Sequence, residues 1–147
     1  MKRKFYLTID QELIDLYHEC YFETYPRRKV KPIKGVFPPS LNAFIAMKRM
    51  VQNSVKQKYK EFAKWMSSFY GIENLNMTNV EMEYTFYFGD NRRRDMDNMI
   101  MTPKFINDGL VDSGVMVDDD GKHLYIHIKP FEYDRNHPRL EIVLKEV

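Results

Sequence analysis

Between Val80 and Phe88 the chain alternates: Val80, Met82, Tyr84, Phe86 and Phe88 take every second place, and Glu81, Glu83 and Thr85 fall between them. Side chains on a strand repeat every two residues, so this period predicts a strand with one buried face. Upstream the period changes. Phe44, Met47, Val51, Val55, Lys58/Tyr59, Phe62, Trp65/Met66 and Phe69 recur every three or four positions, predicting one amphipathic helix over about 43–70. Ser40 or Asn42 can cap it, and Gly71 is a natural stop. Its Met and aromatic stripe is expected in the core, with Lys48, Lys56, Lys60 and Lys64 off that stripe.

Weaker patterns complete the order. Lys4 to Ile9 (KFYLTI) predicts an edge strand, and Leu13, Leu16, Tyr17 and Cys20 predict a short helix over Gln11 to Phe22. Arg27 to Lys34 reads as a basic, proline-containing loop. Thr102 and Pro103 predict a third helix, with Thr as cap and Pro at its first position, running to about Ser113 and closed by Gly114. Val115 to Val117 predicts a short extended piece. Leu124, Ile126 and Ile128 predict one further strand, and Leu140, Ile142 and Leu144 another. The expected fold class is α/β (α+β): a small mixed β-sheet with a long amphipathic helix and a short helix packed on it.

A chain of 147 residues fits one domain, expected over 1–147. Hydrophobic content of 44%, with 14% aromatic residues, argues against disorder and supports a packed core. The single cysteine, Cys20, cannot close an internal disulfide, and the start MKRKFYLTID lacks a signal-peptide apolar core; both imply a cytoplasmic setting. No apolar run approaches the ~20 residues of a membrane span. A net charge of +2 does not by itself mark a nucleic-acid binder. The distribution says more: basic residues gather in Arg27–Lys34, Lys48–Lys64 and Arg92–Arg94, and acidic ones between Asp95 and Asp120.

That charge pattern locates the candidate chemistry. Arg92, Arg93 and Arg94 abut Asp95 and Asp97, and a second acidic cluster follows at Asp118, Asp119 and Asp120. Carboxylate oxygens are the ligands Mg²⁺ takes, and guanidinium forks match phosphate oxygens. In an extended segment Asp95 and Asp97 point the same way, and a third carboxylate from Asp118–Asp120 would complete a protein half-shell. Lys104, in the first turn of the short helix, is placed to stabilise negative charge in a transition state. Asp108, one turn on, is placed to pair with Lys104 or support the metal shell. Lys48 and its neighbours on the long helix can lie along a phosphate backbone. The four histidines show no ligand spacing, and His123 and His127 read as surface. There is no nucleophilic Ser or Cys constellation and no Gly-rich phosphate loop. Together the residues point to a metal-dependent nuclease.

The text RRRD-M-DN at 92–98, K-x-x-x-D-G-L at 104–110 and G-V-x-x-DD at 114–119, with Pro-Pro-Ser-Leu-Asn at 38–42 ahead of a long helix, resembles the RusA family of Holliday junction resolvases. The resemblance covers roughly residues 36–145 and leaves 1–35 as an extension or insertion. It implies a homodimeric, Mg²⁺-dependent endonuclease (Mn²⁺ being a possible substitute) of phage or prophage type, acting in DNA recombination and repair. Such enzymes bind four-way DNA and nick two opposed strands symmetrically. Carried over by position, Asp95, Asp97 and Asp119 are the metal ligands and, with Lys104, the catalytic set. Arg92, Arg93, Arg94, Asn98, Lys48 and Arg49 become the DNA-binding residues, with Asp108 and Asp118 supporting the ligands. Two alternatives stay open: a branched-DNA-binding accessory protein that does not cut, and a metal-dependent nuclease of other specificity.

Overall fold

The computed structural model of this chain describes residues 2–147 and places ten elements along it. Strand β1 (Lys4–Asp10) leads directly into helix α1 (Gln11–Thr24), capped by the Asp10 carboxylate, which accepts from the Leu13 N–H at 2.9 Å. A long loop then reaches the short helix α2 (Leu41–Ile45) and the long helix α3 (Arg49–Phe69). Strand β2 (Val80–Phe88) follows, then one 3₁₀ turn (Met96–Met99), helix α4 (Met101–Asp112), and strands β3 (Leu124–Ile128), β4 (Glu132–Tyr133) and β5 (Arg139–Glu146). No helix among the described residues is long and apolar enough to cross a membrane.

The sheet runs β1-β5-β2-β3, with β4 also paired to β2. Strand β5 is antiparallel to both β1 and β2, whereas β3 and β4 are parallel to β2, so the sheet is mixed and the fold α+β as expected. Strand β1 lies at one edge, as its sequence predicts. The parallel β2–β3 pair requires a crossover, and the 3₁₀ turn with α4 supplies it. One sheet face is the core: Leu7 and Ile9, then Val80, Met82, Tyr84 and Phe86, then Leu140, Ile142 and Leu144 are all almost fully buried. Residues of the other face are partly exposed and polar, for instance Glu83, which accepts from Lys145 at 2.6 Å.

Two expectations are corrected. The single helix over 43–70 is two helices, because Lys48 is extended (φ −63°, ψ 149°) and interrupts the backbone ladder. The break turns α2 so that Phe44 packs edge-on against Phe105 of α4. Gln52 also donates to the Phe44 carbonyl at 2.9 Å, which accepts from the Met47 N–H at 3.1 Å as well, tying α3 to the end of α2. The buried face of α3 is correspondingly narrower than the predicted stripe: Tyr59, Phe62, Ala63, Met66 and Ser67 are inside, and Val51 and Phe69 are exposed. The second correction is at α4. It starts at Met101, ahead of Thr102, with no side-chain cap, and the Thr102 hydroxyl is buried without a partner. Pro103 still falls in the first turn, where its missing N–H costs nothing. On the edge strand β3, Leu124, Ile126 and Ile128 share one face as predicted, with Ile126 exposed there.

Two glycines act as the sequence predicts. Gly71 and Gly114 have φ of +68° and +73° where α3 and α4 end. Beyond Gly114, Met116 pairs with Met77 in an isolated parallel bridge, the short extended piece expected there.

Candidate functional site

Helix α4 packs against α3, and its N-terminal half, with β3, frames a cleft of about 510 Å³. Pro103, Lys104 and Asn107 line it from α4, Ile126 and Ile128 from β3, and Asp119 from the loop before β3. Ile100, which joins the 3₁₀ turn to α4, also lines it. Behind the cleft, the buried Tyr84 hydroxyl donates to Asn107 Oδ1 at 2.6 Å and ties α4 to the central strand. Burial pushes the Tyr84 phenol well above its ordinary value, so it remains a donor.

Lys104 Nζ donates to Asp108 Oδ1 at 3.1 Å, the pair expected from their i,i+4 spacing. Lys104 and Asp119, from opposite sides of the crossover, thus face one cleft. Asp95 and Asp97 are placed differently. Asp95 is the extended residue ahead of the 3₁₀ turn, and Asp97 lies within that turn. Residues in a 3₁₀ turn rotate by roughly 120° each, so the strand alternation that would align the two carboxylates does not operate here. Both are exposed, and with Asp119 they do not bring three ligating atoms within 4.8 Å of one another.

Among the described residues, the set that does meet this distance is Asp118, Asp120 and His123. His123 is the residue that reading the sequence as surface misses; its signal is its position three residues after Asp120. Asp120 Oδ1 hydrogen-bonds His123 Nδ1 and accepts from the Lys122 N–H. The His123 contact holds the Asp120 carboxyl below its ordinary range. Asp118 turns inward on its own loop, its Oδ1 accepting from the Asp119 N–H at 2.7 Å. These bonds also describe a self-satisfied turn. By donor chemistry the all-carboxylate set Asp95, Asp97 and Asp119 fits Mg²⁺, whereas the imidazole-containing set matches softer divalent ions better.

The three arginines divide. Arg92 and Arg94 both bind Asp90, at 3.1 and 2.9 Å, and Arg94 also stacks over the Phe88 ring at 4.0 Å. Asp90, which the sequence does not single out, is held down to about 2 by the Arg92 N–H first and then by the two guanidinium groups. Arg93 is the outward member: its side chain is 93% exposed, and its ion pair is the loose one to Asp95 at 3.7 Å. Asn98 Oδ1 accepts from the Asn42 N–H at 2.9 Å, joining the Pro-Pro-Ser-Leu-Asn stretch to the Arg-Asp segment. Ser40, one of the two residues expected to cap the long helix, caps the short α2 instead, accepting from the Ala43 N–H at 3.2 Å. Lys48 and Arg49 lie exposed at the α2–α3 break, with no ion pair among the described residues.

A comparison of the chain with protein-family models and with curated proteins finds no match to either.

Proposed function

We propose that the protein is a Mg²⁺-dependent endonuclease of the RusA type that nicks four-way DNA junctions as a homodimer. One observation carries the reading: the 38–42 motif, distant in sequence, is linked to the three motifs within 92–119 around the start of α4. Asn42 of the first bonds Asn98 of the second, and Lys104 of the third shares a cleft with Asp119 of the fourth. Ile100, three residues beyond Asp97, lines the same cleft and connects the Arg-Asp segment to it.

In this reading Asp95, Asp97 and Asp119 would hold the metal, which when bound activates water and polarises the phosphoryl group. Lys104, oriented by Asp108, sets a positive charge at the cleft where a phosphate gains charge during attack. Arg93, the most exposed of the three and only loosely paired with Asp95, presents its guanidinium to a DNA phosphate, while Arg92 and Arg94 stiffen the segment that carries it. Two-fold symmetry of a homodimer matches that of the junction.

The test incubates the protein with a labelled synthetic four-way junction and a matched linear duplex, each with Mg²⁺ or EDTA, beside the Asp97→Asn variant. Paired, Mg²⁺-dependent nicks on the junction, absent in the variant, are expected. Tight junction binding without cuts would replace the enzyme with an accessory DNA-binding protein. Equal cutting of both substrates would make it a nuclease of other specificity.

A further inference from the structure

A second cleft, of about 620 Å³, opens on another part of the molecule, between α1 with its following loop and α3. One wall comes from the amino-terminal stretch outside the family resemblance, and the other from α3 with Glu73, Asn74 and the end of α4. Its size falls within the ordinary range for small-molecule sites. Tyr17, Tyr21 and Tyr25 line it at four-residue spacing from α1 and its cap, and Trp65 lines it from α3. Tyr17 and Trp65 meet with ring centroids 5.1 Å apart, as do Tyr21 and Tyr25.

Cationic groups sit among these rings. Arg28 lies over the Tyr25 ring at 3.9 Å and donates to the Tyr21 hydroxyl at 2.9 Å, with no carboxylate partner among the described residues. Lys58, on the cleft wall, likewise makes no ion pair among them. Lys64 is different, being neutralised by Asp112 at 3.5 Å and Glu61 at 3.8 Å. The cleft therefore offers stacking surface, two cations without carboxylate partners, and amides at Gln57 and Asn74 suited to the edge of a heterocycle; of its carboxylates, Glu61 and Asp112 pair with Lys64, and Glu73 is the third.

We propose that this cleft binds a nucleotide with an unpaired base, the base against the Tyr/Trp surface and the phosphate on Arg28 and Lys58. Every base has a π-face, so such a site tolerates sequence, and the cations select a ring that carries phosphate. Apolar rings alone would accept any flat molecule, and the cations alone any anion. Their combination in one cleft favours the nucleotide. The site does not depend on the nuclease reading, because none of its residues lies in the α4–β3 cleft.

Trp65 is the only tryptophan of the chain, so its fluorescence reports occupancy directly. The full-length protein is titrated in EDTA with thymidine monophosphate, oligothymidylate, blunt duplex, inorganic phosphate and tetramethylammonium, using Asp97→Asn to exclude cutting. Saturable quenching by oligothymidylate or the mononucleotide is expected, and blunt duplex should be without effect. Tighter binding of the oligomer would make a strand the source, and equal binding a free nucleotide. Tyr25→Ala should weaken binding roughly 5- to 150-fold, the range for loss of one stacking partner. Lys58→Ala should weaken phosphate-bearing ligands selectively. Both residues are exposed, so either variant is expected to fold. Response to tetramethylammonium or phosphate without response to nucleotides would overturn the proposal, as would quenching unchanged in both variants or none with any probe.

Discussion

Gly109 tests the packing that positions the α4–β3 cleft. A Cβ added there would lie 2.5 Å from Ala63 Cβ and 2.5 Å from the Lys60 carbonyl oxygen. One neighbour is backbone and neither is the flexible end of a side chain, so the helices must move apart. In Gly109→Ala, helix propensity favours the substitution by ~1 kcal/mol. Overpacking costs about 1–3 kcal/mol, and two rigid contacts place this site at the upper end. The net expectation is a loss of about 2 kcal/mol, or a fall in Tm of about 4–8 °C for a chain of this size. Urea unfolding followed by circular dichroism reads the free energy. Gly121→Ala, with nothing within 4 Å of the added atom, should be close to neutral. Adding Ala63→Gly should rescue only in part, since the Lys60 carbonyl remains. A Gly109→Ala protein as stable as wild type, or more stable, would refute the close approach of α3 and α4.

Three further outcomes follow from named contacts. Tyr84→Phe removes the donor to buried Asn107 and should cost about 1–3 kcal/mol in urea unfolding; no measurable cost would mean another donor replaces it. His18 is buried with both ring nitrogens unpartnered, and desolvation, then the Lys31 charge, holds its pKa below the ordinary value. The unfolded chain therefore takes up the proton first, so stability should be full above about pH 6.5 and fall as the pH drops below it. His18→Leu should flatten that part of a pH series of denaturation midpoints, and an unchanged slope would assign the dependence elsewhere. Arg93→Ala should lower the salt slope of DNA binding by about one and leave stability within about 0.5 kcal/mol. Arg94→Ala should loosen the segment that packs on Phe88. The reverse pattern would exchange their roles.

The fold was legible where period and punctuation agree. Strand β2 repeats its apolar residues without a fault and is found over the residues predicted, and Gly71 and Gly114 mark helix ends with positive φ. The α2–α3 break was not legible, because Met47 continues the helical period and no Gly or Pro marks the interruption. Nor was the close α3–α4 contact, which rests on Ala63, Ser67 and Gly109, small residues that add little to an apolar pattern. Ser113 Oγ donates to Ser67 Oγ across it at 3.0 Å.

At the candidate site, sequence spacing located the Lys104–Asp108 pair. It did not expose the Asp90 clamp on Arg92 and Arg94, the buried Tyr84–Asn107 bond, or the Asp120–His123 contact. The first and last depend on how a loop closes on itself, and the second on which face of α4 meets β2. None of these has a period. The alternation argument for Asp95 and Asp97 likewise fails because a 3₁₀ turn begins between them.

The most direct measurement compares Mg²⁺-dependent junction nicking by Asp119→Asn and Asp120→Asn. The two residues are adjacent, yet Asp119 lines the cleft with Lys104 while Asp120 belongs to the turn with His123. With Asp119 as a metal ligand, Asp119→Asn loses more than the roughly 10- to 100-fold that removal of an outer-sphere partner costs, and Asp120→Asn stays near wild type. Loss with Asp120→Asn and activity retained by Asp119→Asn would contradict that assignment and move the chemistry to the Asp118–Asp120–His123 cluster.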